Sequence, residues 1–298
     1  LSITGGSVKT LQGIVLISET LDLSNGKIAV AGAIEENSLI VQNGATIDEN
    51  ADSWVNGTLV IEGQGAKLFP LGAGGRYAPV LLNITGSEST RTGAIAFNEN
   101  GSGSLTDVPN NITGTSTSWN WQVFGNDISS IAVTLPIQSE DEALIDGDDL
   151  IYSVLEANNE NGASSSLGGT RGTITAGIAS VSANEISLNP NSATPFSRTY
   201  LLGVERTTVP VIHNIITPNN DNSNDFLFIE AISVYGDDNE VILLDRWGVE
   251  VYRKKNFRNF NSTDNPYDGS FDFLAPGNYI CIVEYAGQTA KQVITVLN

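Results

Sequence analysis

The stretch Leu21-Asp22-Leu23-Ser24-Asn25-Gly26-Lys27-Ile28-Ala29-Val30 holds a short apolar strand, a Ser-Asn-Gly turn and a second short strand. Asn-Gly favours the left-handed backbone that tight turns need, and the flanking β-branched and aliphatic residues suit a pleated surface. The same texture continues on both sides. Ser2-Ile3-Thr4, Gly13-Ile14-Val15-Leu16-Ile17, Ser38-Leu39-Ile40-Val41 and Ala45-Thr46-Ile47 are further short strands, with a second turn at Gln42-Asn43-Gly44. Two polar-Asn-Gly turns, each preceded by a short apolar strand, predict stacked rungs over residues 1–62. The expectation is a right-handed β-solenoid-like region that ends a longer solenoid upstream. A simple meander is the competing reading.

From residue 63 the strands lengthen. Tyr77 to Ile84, Gly93 to Phe97, Ser118 to Phe124, Ile131 to Leu135, Asp149 to Leu155, Thr173 to Ile178 and Arg198 to Val204 alternate with Ser-, Asn- and Gly-rich connections. Seven strands at this spacing predict a β-sandwich over 63–208, immunoglobulin-like or jelly-roll. Arg206-Thr207-Thr208-Val209-Pro210 has linker character, and a fresh pattern starts at Val211, so 209–298 is expected to fold as a third region. No segment shows a 3.6-residue apolar stripe over three turns. The fold class is all-β: a short β-solenoid-like N-terminal region, a central β-sandwich and a C-terminal Ig-like β-sandwich.

Composition narrows the function. Charged residues make up 16% of the 298, against roughly 25% in ordinary soluble chains. With 34 acidic and 14 basic residues the net charge is -20. Nucleic acid is an unsuitable partner, because binding it requires cations against phosphates, and a basic membrane-hugging face is absent too. No apolar run approaches the ~20 residues of a membrane span. Cys281 is the sole cysteine, so no internal disulfide forms, and Tyr279-Ile280-Cys281-Ile282-Val283 reads as a strand in which it is a small apolar residue. Methionine is absent. The chain therefore reads as a processed product or an excised portion, with any signal peptide upstream.

Four motifs in order then carry a family resemblance. Ile216-Thr217-Pro218-Asn219-Asn220-Asp221-Asn222-Ser223-Asn224-Asp225 is similar to a TPN-x-D-G-x-N-D opening, with Asn222 at the usual Gly. Val241-Ile242-Leu243-Leu244-Asp245-Arg246-Trp247-Gly248 is similar to a strand ending in N-R-W-G. Tyr267-Asp268-Gly269 stands where the family has W-D-G, and Leu274-Ala275-Pro276-Gly277-Asn278-Tyr279 is similar to its L-x-x-G-T-Y-Y hairpin. A closing strand runs from Lys291 to Val296. Residues 209–298 thus resemble the type B, gliding-motility-associated C-terminal signal domain of the type IX (type 9) secretion system of Bacteroidota. Trp54-Val55-Asn56-Gly57, Phe69-Pro70-Leu71-Gly72 and Gly75-Arg76-Tyr77-Ala78-Pro79-Val80 resemble a solenoid-to-sandwich stretch of large surface proteins from the same bacteria. Phe196 to Gly203 is similar to that sandwich's last strand.

The resemblance implies export across the outer membrane to the cell surface. Its partners would be the outer-membrane translocon and a barrel shuttle protein, which read the C-terminal domain. Carried onto this chain, the recognition candidates are Thr217, Pro218, Asn219, Asp221, Asn224, Asp225, Arg246, Trp247, Gly248, Asp268, Gly269, Gly277 and Tyr279.

Each candidate has a plainer alternative. Asn219, Asp221, Ser223 and Asp225 place oxygens at alternate positions, as in a calcium loop. No distal Glu closes the set, and an Asx-turn network is the favoured reading. Arg246-Trp247-Gly248 is expected at a strand end, with Trp247 packed on the core, and an exposed epitope as the second reading. Arg253, Lys254, Lys255 and Arg258 form the basic cluster, by default a solvated strand end. Ser139-Glu140-Asp141-Glu142 and Asp146-Gly147-Asp148-Asp149 read as a solvated acidic loop. His213 is the only histidine and no G-x-S-x-G, P-loop or Rossmann fingerprint occurs, so no catalytic residues and no cofactor beyond calcium are expected.

The sequence therefore points to a non-enzymatic surface protein of structural or adhesin type, with surface glycans as further partners. One alternative is a carbohydrate-binding accessory module, in which Trp119, Trp121 or Tyr152 would stack on sugars. Another is the remnant of a solenoid lyase, for which Glu35, Glu36, Asp48 and Glu49 are the available carboxylates.

Overall fold

The computed structural model describes residues 1–3, 5–30, 38–98, 108–109, 111–145, 150–158, 164–190, 195–219, 221, 223–236, 238–259 and 271–297. Among these residues the regular elements are β-strands and three short 3-10 turns, with no α-helix. The all-β expectation holds. The chain divides into two compact units, Leu1–Val108 with Ile112–Glu205, and Pro109–Asn111 with Arg206–Asn298.

In the first unit the chain winds in coils. β1 (Val8–Leu11), β2 (Ile14–Ile17) and β3 (Thr20–Asp22) make one coil. β4 (Lys27–Val30), β5 (Ser38–Val41) and β6 (Thr46–Asp48) make the next, and β7 (Val55–Asn56) and β8 (Leu59–Glu62) begin a third. Pairing between coils is parallel: β1–β4–β7 on one face, β2–β5–β8 on the second, β3–β6 on the third. Parallel stacking puts equivalent residues over one another, so Val15, Leu39 and Leu59 form one inward row and Ile17, Val41 and Ile61 another. β1, missing from the sequence-based strands, reads poorly because Lys9 and Thr10 interrupt its apolar character. Gly57, between β7 and β8, adopts φ +119°, and a methyl group there would collide with the Val30 carbonyl of the coil above.

The same unit then becomes a sandwich. Its strands are β9 (Gly65–Phe69), β10 (Gly72–Ala73), β11 (Arg76–Tyr77), β12 (Val80–Thr85), β13 (Arg91–Asn98), β14 (Ile112–Thr115), β15 (Trp119–Asn126), β16 (Ser130–Pro136), β17 (Leu150–Asn158), β18 (Ser164–Ser166), β19 (Thr170–Thr173), β20 (Ala179–Ser182), β21 (Ile186–Ser187) and β22 (Phe196–Arg206). One sheet runs β19-β20-β16-β12-β9, with β21 beside β16. The other runs β18-β17-β22-β15-β13-β8-β5-β2, with β14 beside β22. That second sheet includes three solenoid strands. Alternation on β12, β15, β16 and β22 turns Val80, Leu82, Trp121, Val123, Ile131, Val133, Tyr200 and Leu202 into one core shared with the solenoid rows. Trp119, Trp121 and Tyr152 are buried in that core, with the Trp121 indole N–H donating to the Ala78 carbonyl at 3.0 Å. They are therefore not sugar platforms. The strand expected over Thr173–Ile178 is instead the end of β19 and a 3-10 turn at Thr175–Gly177. The Ile174 N–H donates to the Ile178 carbonyl at 2.9 Å across this turn, and the chain reverses there into β20.

The solenoid passes into the sandwich through the Phe69-Pro70-Leu71-Gly72 stretch. Phe69 and Leu71 are fully buried, and the Val55 N–H donates to the Pro70 carbonyl at 2.8 Å. Gly72 lies against the Trp54 ring, where any side chain would collide. The Tyr77 hydroxyl and the Thr175 hydroxyl both donate to Glu49, at 2.6 and 2.8 Å. Glu49 is thus tied into the junction by two hydrogen bonds, and Glu35 and Glu36 lie outside the described residues. The acidic 139–142 segment is not simply solvated: Glu140 pairs with Arg76, and buried Asp141 accepts the Gln138 N–H at 3.1 Å. Asp146 to Asp149 lie outside the described residues.

The second unit has two layers. β23 (Val211–Ile212) pairs antiparallel with β25 (Ile229–Glu230). The other layer is a five-stranded sheet, β24-β29-β28-β26-β27, of β24 (Ile215–Ile216), β26 (Asn239–Leu244), β27 (Glu250–Lys255), β28 (Gly277–Tyr285) and β29 (Gln288–Val296). Ile212, Leu227, Ile229, Phe257 and Phe271 pack on Val241, Leu243, Cys281, Val283 and Ile294. Two asparagines stand in for missing strand neighbours. Asn259 accepts the Ile229 N–H and donates to the Ile229 carbonyl, at 2.9 and 2.7 Å, and buried Asn239 accepts the Phe257 N–H at 2.9 Å. Burial pushes the Cys281 thiol up to about 12, which keeps it protonated and unreactive.

Two outcomes test this account. Gly57→Ala should destabilise by several kcal/mol, because it adds a clash to the ~1–2 kcal/mol cost of a left-handed alanine. Gly44→Ala, with φ +87° and open space around it, should show only the smaller cost by urea denaturation. Glu140 is held down at about 2, first by its hydrogen bond from Arg76. Its folded pKa lies below its unfolded one, so its contribution is present above pH ~4 and fades as pH falls through ~2. The stability gap between the parent and Glu140→Gln should therefore shrink over that window.

Candidate functional site

The register of the five-stranded sheet decides where the C-terminal motifs meet. Ile216 pairs with Val296, Val296 with Gly277, and Ile280 with Leu244. The loop after β24, the β26–β27 turn and the start of β28 therefore emerge at the same end of the sheet. Thr217 to Asp225, Asp245 to Gly248, and Gly277 to Tyr279, scattered in sequence, become neighbours in this sense. Asp268 and Gly269 lie outside the described residues.

The loop holds itself closed. Asn219 Oδ1 accepts the Asp221 N–H at 3.0 Å, and Asp221 Oδ1 accepts the Ser223 N–H at 2.8 Å. Buried Asp225 accepts the Asn219 N–H at 3.2 Å, and the Thr217 hydroxyl donates to the Ser223 carbonyl at 2.8 Å. Asn224 takes φ 53°, a conformation asparagine tolerates. These are consecutive Asx turns, in which the side-chain oxygens satisfy backbone amides. Among the described residues no group of His, Cys, Asp and Glu is arranged to hold a metal.

The turn between β26 and β27 is built around Asp245. Its Oδ1 accepts the N–H groups of Trp247 and Val249, at 2.8 and 2.9 Å, and Gly248 closes the turn at φ 80°. This corrects the expected position of Trp247. It is 77% exposed, at the tip of a short capped hairpin, with the Arg246 guanidinium 5.3 Å from its ring centroid. The sequence suggested core packing because Trp247 follows closely on the apolar run Val241 to Leu244, at an expected strand end. Yet β26 stops at Leu244, and the turn directs the next side chains to solvent. Val249, Phe273 and Leu297 are also exposed at this end of the sheet. They were missed, although Phe273 sits visibly in Phe271-Asp272-Phe273-Leu274.

Tyr279 and Gly277 are structural. The Tyr279 hydroxyl donates to the Ala275 carbonyl at 2.7 Å, with its ring buried, and Gly277 takes φ 156° at the start of β28. Of the basic cluster, Arg253 is held between Glu240 at 3.0 Å and Glu250 at 2.7 Å. His213 lies beyond β23, with Nε2 2.9 Å from Glu230 and its ring edge-on to Phe228.

Residues 210–296 match the CHU_C type IX secretion signal domain family. No curated protein and no solved structure matches the chain. The match supports a type IX export signal in the second unit and, with it, interaction with the secretion machinery and passage across the outer membrane. No helix among the described residues is long and apolar enough to cross a membrane.

The signal domain should separate fold from recognition. Trp247→Ala, at an exposed turn, should leave stability within about 0.5 kcal/mol. Asp225→Ala strands a buried loop amide and should cost about 1–3 kcal/mol. Chemical denaturation of both variants gives the comparison.

Proposed function

We propose that this chain is part of a non-enzymatic, structural or adhesin-type surface protein of a Bacteroidota bacterium, exported through a type B, gliding-motility-associated signal domain. The outer-membrane translocon and its barrel shuttle would read the sheet end that carries Trp247. The observation behind this reading is that exposed Trp247 and Val249 project from the same end of the sheet as the self-capped 217–225 loop. Large apolar side chains on a rigid turn lose little conformational entropy on binding, and Trp and Arg are enriched among residues that dominate interfaces. Thr217, Asn219, Asp221 and Asp225 serve this reading by fixing the loop's shape. The solenoid and sandwich would present adhesive surface to glycans or to neighbouring cells, and no catalytic group is assigned.

Residues 209–298, fused to a periplasmic reporter in a type IX-secreting host, should carry it to the medium or cell surface. Trp247→Ala in that fusion should reduce surface reporter more than tenfold, as loss of an interface anchor worth ~2 kcal/mol would. A reporter retained in the periplasm by the parent fusion would refute the assignment.

A further inference from the structure

One end of the sandwich holds a pocket of about 550 Å³ between its two sheets. One wall comes from β15 and β22, where Gly125 pairs with Phe196. The other comes from the chain just after β21, whose Ser187 pairs with Ser130 at the start of β16. The Leu188 N–H donates to the Ser129 carbonyl at 2.7 Å, which ties that chain to the β15–β16 turn.

The turn itself is held from several sides. Ile128 is buried in the core. The Thr90 hydroxyl donates to the Asp127 carbonyl at 3.2 Å, and the Ser129 N–H donates to the Thr85 carbonyl at 2.8 Å. Asp127 takes φ 60°, a conformation aspartate tolerates. Elsewhere in the lining, Pro190 and Pro195 have a ring-fixed φ. Arg198 Nε donates to Glu156 at 2.6 Å, and its guanidinium stands 5.6 Å from the Phe196 ring centroid. These contacts fix the lining without a ligand.

The lining is of two kinds. Leu188, Pro190, Pro195 and Phe196 offer apolar surface, whereas Asn126, Asp127, Asn189 and Arg198 offer both acceptors and donors. Among the described residues neither the Asn126 amide nor the Asp127 carboxylate finds a hydrogen-bond partner. A pyranose matches that mixture. Its ring presents C–H groups on its faces and, around its rim, hydroxyls that each donate and accept. One carboxylate stands against one guanidinium here, and Arg198 already faces Glu156, so no surplus cation favours a phosphate or a uronate. The volume lies within the roughly 300–1,000 Å³ of small-ligand sites.

We propose, building on the adhesive reading above, that this pocket binds a neutral sugar residue of a surface glycan, stacked on Phe196 and hydrogen-bonded by Asp127 and Asn126. Half-buried Phe196 is open to a ligand in a way that Trp119 and Trp121, enclosed in the core, are not.

The test is an oligosaccharide array probed with the 298-residue chain. It carries neutral chains ending in glucose, galactose, mannose or N-acetylhexosamine, beside uronic-acid and phosphorylated chains. At least one neutral class should be retained. Asp127→Gly suits φ 60° and removes the carboxylate, so it should weaken that binding roughly tenfold, as loss of a hydrogen bond to a charged group does. Asn126→Ala should weaken it several-fold, and exposed Thr173→Ala should leave it unchanged. Retention of acidic or phosphorylated chains alone would overturn the proposal. Retention of none would overturn it together with the glycan part of the adhesive reading. Binding that both pocket variants leave intact would overturn the pocket alone, with glycan adhesion then carried by another face. Should either variant fail to fold, hydrogen exchange on the unsubstituted protein decides. The retained oligosaccharide should slow amides at 125–129 and 188–189, and slowing confined to other segments would refute the site.

Discussion

Backbone pairing at Leu59–Glu62 carries two geometries at once. One edge of β8 continues the parallel stack through Leu39, Ile40 and Val41, and the other pairs antiparallel with Arg91 to Ala94 of β13. Parallel strands demand crossover connections, and the coils supply them; antiparallel strands can be joined by tight turns, and the sandwich uses these. A single strand satisfies both because its hydrogen-bonding edges are independent, while its side chains must serve one interior. Leu59 and Ile61 do so, lying in the core that the coils and the two sandwich sheets share. Without β8 the solenoid would present an unpaired edge to solvent, with the aggregation liability such edges carry.

The junction residues make sense as guards of that transition. Gly72 allows the Trp54 ring to lie against the backbone, Phe69 and Leu71 fill the space beneath, and Glu49 ties Tyr77 to Thr175. The cation of Lys27 sits 3.6 Å from the Trp54 ring centroid, covering its outer side. The chain changes architecture here without opening a gap between two cores.

The signal domain meets a related constraint differently. Asn259 pairs with both backbone groups of Ile229. Asp245, Asp225 and the Asx turns of the 217–225 loop likewise consume backbone donors locally, which leaves a rigid end from which Trp247 projects. A side chain on such a scaffold is positioned in advance, as the reading of Trp247 proposed above requires.

Local chemistry was legible from sequence: the Asn-Gly turns, the β-branched runs and the Asx-rich loop each announce their backbone conformation, because the forces involved act within a few residues. The C-terminal motifs were legible through their family resemblance, whereas the all-β class and the stacked strands followed from that local chemistry. Side-chain destination did not. Trp119 and Trp121, sugar platforms in one alternative reading, are buried, while Trp247, expected on the core, is exposed, since an aromatic's fate depends on which distant strand lies over it. Thr173 to Ile178 looked like a strand, but Ala176 and Gly177 take positive φ in the turn that feeds β20. Only the tertiary structure could decide that coils and sandwich share one core through β8, and that the motifs at 217–225, 245–248 and 277–279 gather at one sheet end. Both are matters of long-range register, fixed by packing between residues far apart in the chain and so invisible to any local pattern.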